Sequence, residues 1–147
     1  HHCASLDCMS RRPVIVCAED DEIDRRLVTD AVLRANPEVE LECFEDGFAL
    51  IERLREAPAS APRPDLVLLD LCMPRLDGHR VLERLRTDHE LDDIPVVVLS
   101  SSSARGDIER AYAGGAVAYA RKPRRFSEFV ETIAAILEYW LGHSVRP

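Results

Sequence analysis

Short apolar runs alternate along the chain with longer segments in which apolar residues recur three and four positions apart. A run of four or five apolar residues is typical of a strand, and a spacing of three and four is typical of one face of a helix. Residues 39–43 differ, because apolar and acidic residues alternate there as in a half-exposed edge strand. A helix is predicted after each strand, and the last one carries an apolar stripe from Phe126 to Trp140. The five predicted strands cover residues 14–18, 39–43, 66–69, 96–99 and 116–120.

Strict alternation of five strands and five helices predicts an α/β fold with one doubly wound parallel sheet and right-handed crossovers. All strands of a parallel sheet run in the same direction, so their carboxyl ends lie at one edge, where open α/β sheets bind their ligands. We therefore expect the side chains at the strand ends to lie together although they are distant in sequence. They are Glu19, Asp20, Asp70, Ser100 and Lys122.

Length and composition are those of one domain, with 147 residues of which 46% are hydrophobic. The net charge of −8 argues against a protein that grips nucleic acid or an anionic membrane, and the basic run at 121–125 lacks interleaved aromatic residues. No apolar stretch approaches the ~20 residues of a membrane span, and no secretory signal is found. Residues 1–10 resemble the remnant of an expression tag with a native start near Met9. We expect the domain over 11–142 and a tail over 143–147.

The five cysteines form no C-x-x-C pair, which favours reduced thiols and a cytoplasmic location. Cys17, Cys43 and Cys72 lie in apolar runs, where a thiol is expected to pack as a small hydrophobic group. The histidines have no spacing that would place two of them on one helix face. We therefore expect His79 at the surface with the others.

The acidic residues at the strand ends predict a metal ion. Glu19, Asp20 and Asp70 would bring three negative charges into one pocket, and two like charges ~4 Å apart repel by roughly 4 kcal/mol at an effective dielectric constant of 20. Lys122 supplies one positive charge, and a divalent cation would balance the rest. Because the ligands are few and all are oxygen atoms, the pattern predicts a Mg²⁺ site.

A carboxylate, a hydroxyl, an ammonium group and Mg²⁺ are together suited to phosphoryl transfer, which depends mainly on positioning and on stabilising charge. Asp70 would be the nucleophile, with Ser100 and Lys122 beside it. Each residue also has a simpler interpretation. Asp70 alone could begin a turn at the end of its strand, and the acids at 19–22 could merely favour a helix N-terminus.

Five short motifs occur in register across the chain. They are Glu19-Asp20-Asp21, Leu69-Asp70, Met73-Pro74-Arg75-Leu76-Asp77-Gly78, Leu99-Ser100 and Lys122-Pro123. In this order and at these spacings, the motifs resemble the receiver domain of two-component response regulators. The resemblance spans Val14 to about Trp140 and implies a flavodoxin-like sheet with the strand order 2-1-3-4-5.

By this resemblance, Asp70 accepts a phosphoryl group from the phosphohistidine of a sensor histidine kinase or of a phosphotransfer protein. The metal ion, Mg²⁺ or Mn²⁺, is bound by Asp20, Asp70 and the backbone carbonyl of Cys72, with Glu19 acting through a bound water. Such a protein is a signalling phosphoacceptor and not an enzyme with a separate substrate.

The same resemblance implies that Ser100 and Lys122 hold the phosphoryl oxygens and that the Lys122–Pro123 bond is cis. Ser100 and Tyr119 would form the switch: the hydroxyl moves toward the aspartyl phosphate and the aromatic ring rotates into the vacated space. This motion would change the surface offered to a downstream protein target.

Two positions depart from the usual residues of the family. Cys72 and Ser102, each two residues beyond a residue of the site, stand where the family tunes the lifetime of the phosphate, and neither offers a base or an amide to guide water. Segments 24–27 and 138–141 resemble the small regulators that serve bacterial phytochrome-type kinases. That closer resemblance implies a homodimer.

Two other functions stay open from the sequence. One is an interaction module that keeps the receiver fold without being phosphorylated, although the intact acids, Ser100 and Lys122 argue against it. The other is a Mg²⁺-dependent phosphohydrolase with Asp70 as nucleophile. Such enzymes have an acid two residues after the nucleophile, where this chain has Cys72.

Overall fold

The computed structural model describes residues 11–56 and 63–142, which form one five-stranded parallel sheet. The strand order is β2-β1-β3-β4-β5, so the predicted fold class and strand order are confirmed. The expected tag remnant, most of the proline-rich loop at 57–64 and the tail lie outside the described residues. The strands are β1 (Val14–Ala18), β2 (Glu40–Phe44), β3 (Leu66–Leu69), β4 (Val96–Ser100) and β5 (Ala118–Arg121).

Five α-helices alternate with the strands, as predicted. The last one differs from the prediction at its end, because the apolar stripe leaves the α-helix after Leu137 and continues through a π-helical turn at Glu138–Gly142. No helix in the described part of the chain is long and apolar enough to cross a membrane. The helices are α1 (Glu22–Ala35), α2 (Gly47–Glu56), α3 (Gly78–Arg86), α4 (Arg105–Ala113) and α5 (Phe126–Leu137).

The sheet separates two hydrophobic cores, because successive side chains of a strand point to opposite faces. Val16 and Val67 contribute to the core that contains residues of α2, α3 and α4, whereas Ile15 and Leu68 contribute to the core that contains residues of α1 and α5. All residues of β1, β3 and β4 are buried. The continuous apolar runs in the sequence therefore correspond to the three central strands.

Gly78 sets the position of α3 against the end of β3. A Cβ atom at this position would lie 2.4 Å from the Asp70 carbonyl oxygen and 2.8 Å from the Leu71 Cα atom, so only glycine permits this approach. Asp77 caps the helix, since its carboxylate accepts a hydrogen bond of 3.0 Å from the Arg80 amide. The first turn of α3 is thereby held beside the carboxyl edge of the sheet.

The Lys122–Pro123 bond is trans, because the described residues contain no cis peptide bond. The expectation of a cis bond here is wrong. An X–Pro bond intrinsically prefers the trans form by about 0.5–1 kcal/mol. With the bond in the trans form, Lys122 still reaches the carboxyl edge of the sheet.

Candidate phosphoacceptor and metal site

Three carboxylates meet at the carboxyl edge of the sheet. Backbone hydrogen bonds continue the sheet past the strand ends, from the Asp70 amide to the Ala18 carbonyl (3.1 Å) and from the Glu19 amide to the Phe44 carbonyl (2.9 Å). Glu19, Asp20 and Asp70 each have a carboxylate oxygen within 4.8 Å of the others. Glu19 and Asp70 are only 2% and 7% exposed, whereas Asp20 is exposed to solvent.

Lys122 follows β5 and places its ammonium group among these acids. Its amide donates to the Ser100 carbonyl (2.9 Å), which fixes the backbone at the strand end. Its Nζ atom donates to Glu19 Oε1 (2.5 Å) and Asp24 Oδ2 (3.2 Å), and lies 3.7 Å from Asp70 Oδ1. We call Glu19, Asp20, Asp70 and Lys122 the acidic pocket.

Burial and charge shift the pKa values in the acidic pocket. Burial raises the pKa of Glu19 to about 7 against the opposing hydrogen bond from Lys122, and the charge of Asp70 adds to the increase. Burial also raises the pKa of Asp70, while Lys122 and a hydrogen bond from the Cys72 backbone oppose the shift. Burial alone would lower the pKa of Lys122, but Glu19, Asp70 and Asp24 raise it, so the ammonium stays charged.

The acidic pocket fits a small divalent cation. Three carboxylates face one ammonium group, so two negative charges lack a partner inside the pocket when all groups are ionised. Mg²⁺ and Mn²⁺ prefer oxygen ligands of this kind and keep water in the remaining positions. Burial and the charge of Asp70 act against ionisation of Glu19, and a bound cation would favour the ionised form.

Cys72 lies beside the pocket with its side chain exposed, so the expectation that it packs as a small hydrophobic group is wrong. Cys72 lies in the bend after β3. The apolar side chains on either side of it, Leu71 and Met73, are buried, whereas Cys72 faces solvent. Its backbone contributes a hydrogen bond to Asp70. Cys17 is buried as expected, and Cys43 is half-buried.

Ser100 is the last residue of β4 and is completely buried. The loop after it, residues 101–104, connects β4 to α4, and we call it the serine loop. The Ser102 amide donates to the Ser100 hydroxyl oxygen (3.1 Å), and the Tyr119 hydroxyl donates to the Ser102 carbonyl (2.8 Å). The predicted switch residues Ser100 and Tyr119 are thus both hydrogen-bonded to Ser102. From the sequence, Ser102 was expected only to affect the lifetime of the phosphate.

His79 and Asp107 extend this network, and sequence reasoning missed both. The Ser102 hydroxyl donates to Asp107 Oδ2 (2.7 Å), and His79 Nε2 lies 3.2 Å from Asp107 Oδ1. His79 is only 7% exposed, so its expected surface position is wrong. The close approach of Gly78 to β3 draws the first turn of α3 inward and buries the imidazole. The hydrogen bond from Ser102, followed by that from His79, lowers the pKa of Asp107.

Asp24 and Arg25 were not predicted as residues of the site, although the segment 24–27 was noted for its resemblance to the regulators of phytochrome-type kinases. Asp24 accepts a hydrogen bond from Lys122, and the Arg25 guanidinium donates to the backbone carbonyls of Glu19 (3.0 Å) and Asp20 (2.9 Å). The available signal was their place in the first two turns of the helix after β1. Since that helix begins at the carboxyl edge, its first polar side chains lie near the pocket.

The chain belongs to the response regulator receiver domain family, whose family model matches residues 15–134. It is 36% identical over 135 residues to the "Probable methanogenesis regulatory protein FilR2" of Methanothrix harundinacea, covering 91% of this chain and 87% of that protein. It is 33% identical over 136 residues to the response regulator Rcp1 of Synechocystis, covering 91% and 92%.

Solved structures agree with the fold and with the closer resemblance. The phosphorylated cyanobacterial phytochrome response regulator RcpA matches with a TM-score of 0.83 at 35% identity, covering 90% of this chain and 96% of that one. The Mn²⁺-bound form of Rcp1 matches with a TM-score of 0.78 at 33% identity, covering 88% and 94%. The protein is therefore a phosphoacceptor response regulator, and neither an unphosphorylated interaction module nor a phosphohydrolase is favoured.

Proposed function

We propose that Asp70 is the phosphoacceptor of this response regulator. The observation that carries the proposal is the burial of the Asp70 carboxylate beside two other acids and one fixed ammonium group. Its oxygen would attack the phosphorus of the donor, and the bond from phosphorus to the donor nitrogen would break as the aspartyl phosphate forms. Burial raises the pKa of Asp70, whereas the positive charge of Lys122 opposes this shift and favours the ionised carboxylate, which is the nucleophile.

Glu19, Asp20, Asp70 and the backbone carbonyl of Cys72 would hold Mg²⁺ or Mn²⁺, with Glu19 acting through water. The fit of the donor set supports this ligand assignment, as does the similarity to Rcp1, whose structure is described as Mn²⁺-bound. A divalent cation supplies charge stabilisation for the oxygens of the transferred group. Lys122 neutralises the same oxygens from the side of β5.

Ser100 would donate a hydrogen bond to the phosphoryl group and act with Tyr119 as the switch. The Ser100 hydroxyl proton is available for this donation, because the hydroxyl oxygen accepts its hydrogen bond from the amide of Ser102. The Tyr119 hydroxyl is hydrogen-bonded to the carbonyl of the same residue, so a shift of the serine loop alters the environment of both. Cys72 and Ser102 would tune the lifetime of the phosphate from the two sides of the site.

A sensor histidine kinase of the phytochrome type is the partner we propose, because the similar proteins include phytochrome response regulators. Ile23 and Leu27 expose apolar side chains on α1 next to Asp24 and Arg25, which contact the acidic pocket, and this suits protein contact there. A homodimer is the second proposed partner. Trp140→Ala followed by mass measurement in solution tests it, and an unchanged dimer would exclude a role for Trp140.

Intact-mass measurement tests the phosphoacceptor directly. The protein is incubated with Mg²⁺ and acetyl phosphate, an acyl phosphate donor, in parallel with Asp70→Asn and Asp93→Asn. Asp93 is an exposed aspartate that precedes β4, at the opposite edge of the sheet. We expect one added phosphoryl group on the wild type and on Asp93→Asn, and none on Asp70→Asn or after metal chelation. Equal phosphorylation of the two variants would overturn the assignment.

A further inference from the structure

Two cysteines lie side by side in the sheet, outside the acidic pocket. Cys17 of β1 and Cys43 of β2 are register partners in neighbouring parallel strands. Both contribute to the core on the side of α1 and α5, with Cys17 buried and Cys43 half-buried. Because they are register partners that contribute to the same core, the two side chains lie next to each other on one face of the sheet.

Cys43 opens to solvent through a cavity of about 500 Å³ against α1. The Thr29 hydroxyl lies 3.6 Å from the Cys43 sulfur atom. Besides Thr29 and Cys43, the cavity is lined by the charged residues Glu22, Arg25, Arg26 and Asp30. Arg26 pairs with Glu22 at 3.8 Å on the outer surface. Arg25 is the cation whose charge favours the thiolate of Cys43. The contact with Cys17, then the hydrogen bond with Thr29 and the charge of Arg25, lower the pKa of Cys43 to about 6, although burial opposes the shift.

Cys72 provides an internal comparison. It is the more exposed thiol, but its surroundings disfavour the thiolate: partial desolvation and the charges of Asp70 and Asp107 raise its pKa. Exposure alone therefore predicts that Cys72 reacts first, whereas the surroundings predict that Cys43 reacts first. This difference makes the reactivity of Cys43 measurable within the same molecule.

We propose that Cys43 is a peroxide-reactive thiol and that Cys17 resolves it to a disulfide between β1 and β2. The Cys43 thiolate attacks one oxygen of hydrogen peroxide, the O–O bond breaks, and the hydroxide that leaves takes up a proton to form water. The Cys17 thiol then attacks the sulfur of the Cys43 sulfenic acid. The S–S bond forms, the S–O bond breaks, and the hydroxyl leaves with the Cys17 proton as a second water. Two thiols lose two electrons, and one peroxide gains them.

The strand geometry permits the disulfide. Neighbouring strands lie roughly 4.8 Å apart, and disulfides span Cα separations of about 4.4–6.8 Å, so no large backbone movement is needed. The cavity against α1 admits a small oxidant to Cys43, while the buried Cys17 is reached only through its partner. The order of the two steps follows from this difference in access.

Alkylation as a function of pH tests the first step. The full chain is treated with limiting iodoacetamide over a pH series, and adducts at each cysteine are quantified by peptide mapping, with Cys3 and Cys8 assigned separately. We expect Cys43 to be alkylated at a lower pH than Cys72, by at least tenfold in rate near neutral pH. Equal pH profiles, or a faster reaction at Cys72, would overturn the proposal.

Treatment with hydrogen peroxide tests the second step. A Cys17–Cys43 cross-linked peptide is expected in the wild type and in the control Cys72→Ala. In Cys17→Ala the sulfenic acid should persist at Cys43 and be trapped by dimedone, and in Cys43→Ala Cys17 should stay reduced, which provides a second test if Cys17→Ala does not fold. Oxidation confined to other cysteines, with Cys17 and Cys43 recovered as free thiols, would contradict the proposal.

Discussion

The acidic pocket and the serine loop lie at the carboxyl ends of the same sheet, yet they are held in different ways. In the acidic pocket, buried charges bind one another, with Lys122 in contact with Glu19 and near Asp70. In the serine loop, hydrogen bonds through Ser102 connect Ser100 and Tyr119. Separating a buried ion pair costs much free energy, because each charge is left without a partner. A single neutral hydrogen bond, by contrast, contributes only about 1 kcal/mol to stability.

This difference assigns separate tasks to the two regions. In the proposed reaction the acidic pocket would be ready before the donor arrives, because its ammonium and carboxylate groups are already positioned. In the proposed switch, the roughly two negative charges of a phosphoryl group would rearrange the serine loop. Changes in the pocket should therefore affect phosphoryl acceptance, and changes in the loop should affect the lifetime of the phosphate and the switch.

Removal of the ammonium group should have the largest effect. Lys122→Gln leaves Glu19 and Asp70 without their positive partner, so we expect phosphoryl acceptance from acetyl phosphate to slow by about 100-fold. The measurement is the initial rate of mass gain with Mg²⁺. Arg121→Gln, which changes the exposed neighbouring cation, is the control and should keep the wild-type rate. A change below threefold in Lys122→Gln would show that the pocket is not held by charge.

The pH dependence of stability should reveal the proton at Glu19. The folded-state pKa of about 7 lies above the ordinary value, so the folded protein binds this proton more tightly than the unfolded chain. The resulting stabilisation is present below about pH 4.5 and is lost as the pH rises through about 7. Because Mg²⁺ bound in the acidic pocket would replace this proton, we expect Mg²⁺ to raise Tm more at about pH 8 than at about pH 5.

Thermal unfolding with Mg²⁺ or with a chelator measures this effect, and Glu19→Gln is the control. The variant cannot ionise, so its Tm in chelator should change less with pH than that of the wild type. An equal gain in Tm from Mg²⁺ at both pH values would contradict the assignment of the proton to the acidic pocket.

Loosening the serine loop should have a smaller effect. Ser102→Ala removes the hydrogen bond that the hydroxyl donates to Asp107 and the one that it accepts from the Ala104 amide, at a cost of about 1 kcal/mol in stability. Phosphoryl acceptance should stay within tenfold of the wild type, while the decay of the phosphorylated form should change. Decay followed by intact mass measures this, with the exposed Ser103→Ala as control. Loss of acceptance in Ser102→Ala would remove the distinction between the two regions.

Removal of the Tyr119 hydroxyl should have the smallest effect. Tyr119→Phe keeps the ring and deletes one hydrogen bond to the Ser102 carbonyl, so the free energy of unfolding should fall by about 1 kcal/mol or less. Phosphoryl acceptance should stay within twofold of the wild type. A drop of tenfold or more would show that the hydroxyl supports the chemistry itself.

The sequence predicted the parts of the molecule that depend on local pattern. Continuous apolar runs marked the central strands, and alternation of strands and helices determined which residues share the carboxyl edge. Asp70 and Lys122 could therefore be placed together from the order of the elements alone. The same reasoning predicted Glu19 and Asp20 as neighbours of Asp70, which is where the structure has them.

Other features depend on how helices dock, which local pattern does not encode. His79 is buried because Gly78 lets α3 approach β3 closely, and its partner Asp107 comes from another helix. Arg25 reaches the Glu19 and Asp20 carbonyls only through the angle at which α1 leaves β1. The Lys122–Pro123 geometry was expected from the resemblance alone, and there the structure differs.

The most direct test of the central claim identifies the residue that carries the phosphoryl group. An acyl phosphate is reduced by borohydride to an alcohol, which marks the phosphorylated aspartate permanently. The protein is phosphorylated with acetyl phosphate and Mg²⁺, reduced and analysed by peptide mapping. We expect the conversion at Asp70, with Asp20 and Glu19 unmodified. Conversion at another carboxylate, or none despite a gain of phosphoryl mass, would contradict the assignment of Asp70 as the nucleophile of the acidic pocket.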